Sequence, residues 1–172
     1  RPIAARSRAV LPIAWAGDPS ERWIAEGFGE DLEDSLCMAR GLKVRAGGAP
    51  KEGEDARAYG RRLGVELVLD GSRRRAPDGA RVRLRLTSVE DGFHVWAERY
   101  ECGLGELLTT SDRAAHAVAD AAGHASLPSL ARAEVSAEAV ELFLKARHAL
   151  EGGFAIHGEE TASSLMERAH AL

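Results

Sequence analysis

Cysteine, aromatic side chains and long apolar runs are all scarce in this chain. Its 172 residues include two cysteines, and Phe, Trp and Tyr together make up 5%. Cys37 and Cys102 lie far apart and fit no metal-ligand spacing, so two free, buried thiols are expected. No stretch resembles a secretion signal or a transmembrane span. There is no Gly-x-x-x-x-Gly-Lys phosphate loop, and the turn at Gly17-Asp18 lacks the lysine that would hold a phosphate, which argues against a P-loop nucleotide enzyme. A formal net charge of -4 gives no large positive field to draw in nucleic acid.

What is present suits one globular domain with a small appendage: 45% of residues are hydrophobic and 29% are charged. The chain begins at Arg1 without methionine and stops at Leu172 inside an apolar-periodic helix, as a piece of a longer protein would.

Ala9-Val10-Leu11-Pro12-Ile13 reads as a short strand held to an edge or terminating position by Pro12. Asp18, Pro19 and Glu21 form a helix start of capping-box type. Ile24, Phe28, Leu32, Leu36 and Ala39 then recur on one helical face, while Glu26, Glu30, Glu33 and Asp34 fall on the others as a solvated acidic surface. Gly41 ends this helix. Leu42 to Arg45 reads as a second strand, and Asp55 to Leu63 as a short helix closed by Gly64. Val65 to Leu69 is an apolar strand, and Asp78-Gly79 is a hairpin signal. Val82, Leu84 and Leu86 alternate with Arg81, Arg83 and Arg85, and Phe93 to Tyr100 forms a further strand.

Leu104 to Ala122 returns to helical spacing, and 123–135, containing Pro128, reads as a linker. Ser136 is placed to cap a helix whose stripe is Ala139, Leu142, Phe143, Ala146 and Leu150, ended by Gly152-Gly153. Another helix runs from about Glu159. The fold class is therefore α/β: a mixed sheet with packed helices in the order βαβαβββα over 1–122, plus a helical hairpin over 136–172. Leu32, Leu36, Leu67, Leu69, Leu84, Trp96, Leu108 and Val118 are expected to share a core.

Few residues invite a chemical reading. His116 on the helix predicted from Leu104 to Ala122 and His124 just past its end lie eight apart, but no carboxylate or cysteine completes a metal set, and no metal or cofactor is expected. Trp15, Trp23 and Trp96 read as packing residues. Alternation across a strand points Arg81, Arg83 and Arg85 the same way, with Arg73 and Arg75 expected beside them on the paired strand. Two readings of this face stand: a solvated surface compensated by nearby carboxylates, or a site where guanidinium forks hold an acidic partner or a phosphate-bearing ligand.

An ordered set of landmarks carries a resemblance. Ala9-Val10-Leu11-Pro12, Gly17-Asp18-Pro19, Ala25-Glu26-Gly27 with Glu30-Asp31, Gly41-Leu42-Lys43-Val44, Leu63-Gly64-Val65, Asp70-Gly71-Ser72 and Trp96-Ala97-Glu98-Arg99-Tyr100 follow in sequence. Together they resemble the TolB-like amino-terminal domain of bacterial multidomain signalling proteins. That family is commonly joined to nucleotide-cyclase, winged-helix DNA-binding or protein-kinase domains and followed by tetratricopeptide repeats. The paired metal-binding aspartates of a cyclase domain are not recognisable here. Ala162, Met166 and Ala169 have the spacing of the second helix of such a repeat, so 136–172 is read as an irregular, truncated first repeat.

The absence of an assembled site and the repeat-like tail favour a non-catalytic regulatory and interaction module, and the resemblance implies that it belongs to a larger bacterial signalling protein. A small-ligand or nucleotide sensor is the second reading, with a pocket near the loops at Gly17 and Gly47-Gly48, and an enzyme is a distant third. The expected partner is a protein or another domain of the same chain, with no nucleic acid bound and no membrane inserted by this segment. Leu142, Phe143, Leu165, Met166 and Leu172 cannot all be covered within the hairpin, which leaves packing back on the helix from Leu104 to Ala122 or meeting a second copy through a two-fold interface. The second is favoured, because the Pro128 linker is expected to let the hairpin swing away from the α/β unit. The expected compartment is the cytoplasm, or the periplasm if a transmembrane helix precedes this segment.

Overall fold

The computed structural model describes residues 7–10, 14–16, 19–45, 50–77, 79–123, 136–151 and 162–171. Its mixed sheet begins with β1 (Ser7–Val10) and β2 (Ala14–Ala16) and continues with β3 (Lys43–Arg45), β4 (Leu67–Ala76), β5 (Gly79–Ser88) and β6 (His94–Cys102). The lateral order is β3-β1-β4-β5-β6, with β2 also pairing with β4. β1 runs parallel to both β3 and β4, whereas β4, β5 and β6 form an antiparallel meander. Asp18, proposed as a helix cap, and the loop at Gly47-Gly48 lie outside the described residues.

A single 3-10 turn, Pro19–Glu21, leads into α1 (Arg22–Cys37). Its four-residue spacing of Ile24, Phe28, Leu32 and Leu36 makes one stripe, and all four are buried. α2 (Ala56–Leu63) is marked at both ends by local chemistry. The Asp55 side chain accepts from the Ala58 N–H at 2.7 Å, and Gly64 closes the helix at φ +67, where a side chain would be strained. α3 (Leu107–Ala121) follows a 3-10 turn at Leu104–Glu106.

The period of two in the meander divides the protein into layers. Leu67, Leu69, Val82, Leu84, Leu86 and Tyr100 face α1 and α3 and form the main core. Val68 points the other way and joins Tyr59, Val65 and Val89 beneath α2. Leu32, Leu36, Leu67, Leu69, Leu84 and Val118 share the main core as expected, with Trp96 and Leu108 partly buried against it. Between α1 and α3 lie two buried serine–aspartate pairs running in opposite directions. Ser35 Oγ donates to Asp112 Oδ1 at 3.0 Å, and Ser111 Oγ donates to Asp31 Oδ2. Each buried carboxylate thereby gains a donor from the facing helix, which fixes the helices' relative register.

α4 (Ala137–Glu151) opens where Ser136 Oγ accepts from the Ala139 N–H at 3.1 Å. It packs back onto α1, which corrects the expectation that a flexible linker lets the hairpin swing away. A Cβ on Gly27 would lie 2.6 Å from Leu144 Cδ2, so the missing side chain is the notch that seats Leu144. Polar contacts flank that notch. Arg147 meets Glu30 at 2.9 Å and Asp34 at 3.0 Å, His148 meets Glu26 at 2.9 Å, and Lys145 lies over the Trp23 ring.

α5 (Ala162–His170) packs on α4 through Leu165, beside Leu142 and Ala146. Leu142 and Leu165 are therefore buried, Phe143 is partly buried against the main core, and Met166 packs on the Leu142–Leu165 cluster. Of the apolar side chains expected to lack cover, Leu142 and Leu165 are buried within the chain and Phe143 and Met166 are partly buried, while Leu172 lies outside the described residues. Two further expectations are corrected: Leu150 is 65% exposed and falls off the α4 stripe, and Cys37 is exposed at the end of α1.

Candidate functional site

The arginine-rich hairpin forms the sheet face opposite the main core, beyond the part that α2 covers. Pairing of Ala76 with Gly79 fixes the register, so that Arg81 lies opposite Arg74, Arg83 opposite Ser72 and Arg85 opposite Asp70. Directly opposed residues share a face. Arg74, rather than Arg73 or Arg75, therefore stands beside Arg81, Arg83 and Arg85, which corrects the expected set. Any two-residue link pairs odd positions of one strand with even positions of the other, and counting from the turn would have shown this.

Arg73 and Arg75 lie on the core side. Arg73 is buried near Glu21 and Cys102, and burial lowers its guanidinium pKa, with Glu21 acting in the opposite direction. Arg75 is exposed at the strand's end and bonds Glu21 at 2.8 Å.

β6 contributes the other half of the outer face. Arg99 lies opposite Arg83, Glu101 opposite Arg81 and Ala97 opposite Arg85. Two arginine pairs, Arg74 with Arg81 and Arg83 with Arg99, are thus directly opposed across the ladder. Arg81 bonds Glu101 at 2.7 Å, and Arg85 Nε bonds Asp70 at 3.0 Å. Arg74, Arg83 and Arg99 are exposed and have no carboxylate partner among the described residues. Like charges directly opposite each other disfavour the pairing, so this arrangement is not one that folding stability alone would select.

Beside this face lies a cleft of about 470 Å³, lined by Asp55, Ala56, Arg57, Asp70, Arg85, Thr87, Gly92 and His94. Its polar groups already engage one another. Arg85 holds Asp70, the Thr87 hydroxyl lies 3.0 Å from His94 Nδ1, and Arg57 Nε donates to the Val89 carbonyl at 3.0 Å. Sequence reasoning missed this cleft, because it depends on α2 lying across strands distant in the chain. The loops at Gly17 and Gly47-Gly48, where a pocket was expected, lie outside the described residues.

His116 Nδ1 lies 2.8 Å from the Asp112 carbonyl oxygen one turn back, and His124 is outside the described residues. Among the described residues no three His, Cys, Asp or Glu side chains cluster as a metal site, and no helix is long and apolar enough to cross a membrane. Burial raises the Cys102 thiol pKa, and burial followed by the Glu98 contact raises that of the Tyr100 hydroxyl.

No family model matches the sequence. A protein named "Putative adenylate cyclase 3" from Rhizobium meliloti (strain 1021) is 34% identical over 155 residues, which cover 84% of this chain. The chain spans 26% of that relative's length. Among solved structures, TolB from Acinetobacter baumannii aligns with a TM-score of 0.48 at 17% identity, covering 69% of this chain and 27% of that one. The PelC dodecamer from Paraburkholderia phytofirmans aligns at 0.48 and 19%, covering 72% and 92%. Lipoprotein GNA1162 from Neisseria meningitidis aligns at 0.46 and 15%, covering 67% and 97%.

Proposed function

We propose that this segment is a non-catalytic, TolB-like regulatory module of a larger bacterial signalling protein, and that its outer sheet face binds an acidic protein partner. The observation that carries the binding surface is the pair of opposed arginines, Arg83 and Arg99, exposed and without a carboxylate among the described residues. A guanidinium pair of this kind is relieved by an anion that bridges it, and planar guanidinium forks suit carboxylates. The signalling context is supported by the ordered TolB-like landmarks and by the match to the protein named "Putative adenylate cyclase 3", of which this segment matches a minor part. The α4–α5 hairpin is proposed as the start of a tetratricopeptide region that couples this unit to a neighbouring domain.

A second reading, a small-ligand sensor, is favoured by the cleft of about 470 Å³ beside Asp70 and Arg85, a volume in the range of small-molecule sites. Calorimetric titration separates the two. With poly-glutamate the module reading expects binding that weakens with added salt, because exposed charges are screened within about 10 Å at 0.1 M ionic strength. With ATP or cyclic AMP it expects none. Stoichiometric nucleotide binding lost in Asp70→Asn would transfer the function to the cleft, and tighter binding of a single-stranded oligonucleotide than of poly-glutamate would refute the acidic-protein assignment.

A further inference from the structure

The sheet ends in β3 on one side and in β6 on the other, and β6 is the longer edge by far, nine residues against three. Among the described residues no strand pairs with the outer side of β6. A long open edge presents a row of backbone donors and acceptors, and proteins that do not use such an edge shorten, bulge, charge or cover it; β6 carries charges at Glu98, Arg99 and Glu101. Here the irregularity sits at one end. The register slips between Leu86 and Thr87, leaving Val95 as the extra residue, and Trp96 to Cys102 then run in unbroken register with β5.

The two faces of that run differ in chemistry. Ala97, Arg99 and Glu101 lie on the outer face, and Trp96, Glu98 and Tyr100 lie on the core side. A strand added alongside would place its outer side chains about 5 Å from Arg99, with Arg83 one strand further in. Carboxylates at those positions would supply what neither arginine has among the described residues. On the other side the added strand would meet partly buried Trp96, which favours apolar residues. Phe93 at 72% exposure and Val95 at 51% extend the apolar surface at the bulged end.

A second copy of this chain is the poorer occupant. A two-fold pairing of β6 with itself would continue the same outer face across the joint and bring two Arg83–Arg99 pairs onto one surface.

We infer that β6 accepts an extended acidic segment of a partner protein as an added strand, with carboxylates over Arg99 and Arg83 and apolar side chains beside Trp96. This rests on the arginine face being a partner surface, and it adds backbone pairing as the second source of affinity. The test uses the whole chain and a synthetic peptide alternating Glu and Val. Two N-methylated versions, methylated at every second residue in opposite phases, keep the charges but block one set of backbone donors each.

The unmodified peptide is expected to bind and to protect β6 amides from hydrogen exchange. One methylated phase should lose about a hundredfold in affinity, the effect of blocking roughly three net hydrogen bonds, while the other phase retains binding. Arg99→Glu should cost at least about tenfold. Equal binding of all three peptides would overturn the added strand while leaving the arginine face standing, and so would binding of poly-glutamate without binding of the alternating peptide. Failure of every acidic probe would remove both. A chain that runs as a dimer in light scattering, and is dissociated by the peptide, would give the edge to a second copy instead.

Discussion

Replacing Gly27 by alanine tests whether α4 is seated on α1 as described, because two effects of opposite sign meet at that position. Inside a helix, glycine to alanine ordinarily stabilises by about 0.5–1 kcal/mol through backbone entropy. Here the new Cβ would lie 2.6 Å from Leu144 Cδ2 and 3.4 Å from its Cγ. Leu144 is 1% exposed, so its side chain can yield only by disturbing the packing around it. Overpacking of a closed core costs about 1–3 kcal/mol, which leaves Gly27→Ala neutral to about 2.5 kcal/mol destabilising. Leu144→Ala alone should cost about 2–5 kcal/mol. In that background the obstacle is gone, and Gly27→Ala should turn stabilising by up to about 1 kcal/mol. Urea unfolding of the native chain, both single variants and the double variant gives the coupling directly, and about 1–3 kcal/mol is expected. Additive effects, with Gly27→Ala stabilising in both backgrounds, would show that Leu144 does not occupy the notch.

Three further outcomes are expected. Leu84→Ala, at a fully buried position of β5, should lower stability by about 2–5 kcal/mol in denaturant melts, and an unchanged midpoint would mean the β5 register is wrong. Ser35→Ala should cost about 0.5–1.5 kcal/mol, because the buried Asp112 carboxylate on α3 loses one of its hydrogen bonds; a neutral result would show that the bond contributes nothing net to stability. The Glu54 carboxyl is held down to about 2, from an ordinary 4.5, by its bonds to Arg62 and to the Lys51 N–H. Its contribution is complete above the unfolded value and is lost as pH falls from 4.5 towards about 2, so Glu54→Gln should differ from the native chain at neutral pH and converge with it in acid. A stability gap that does not change across that range would contradict the pairing.

Local chemistry was the most legible part of the sequence. The spacing of Ile24, Phe28, Leu32 and Leu36, the short helix after Asp55 closed by Gly64, and the alternation of Val82, Leu84 and Leu86 each have a short-range cause, and each appears in the structure. Long-range contacts were less legible. Gly27 looked like an interior helical glycine, and the close approach that explains it comes from Leu144, far along the chain. The Leu142 and Leu165 surface looked uncovered because a neighbouring hairpin was taken to be needed to cover it, whereas α4 and α5 bury these side chains against each other. At the arginine face the residue type was read correctly and the partners were not. Arg74 and Arg99 belong with Arg83, while Arg73 turns inward to a buried position that an arginine's charge does not advertise. The cleft between α2 and the sheet has no local signature at all.

The most direct test of a face shaped for a partner rather than for stability is Arg83→Glu, measured for both properties on the same sample. Placing a carboxylate opposite Arg99 replaces a like-charge pair with an opposite one, so the thermal midpoint should hold or rise slightly. Affinity for poly-glutamate should fall at least about tenfold. A midpoint that drops while poly-glutamate binds as before would contradict the account and make the arginines part of the scaffold.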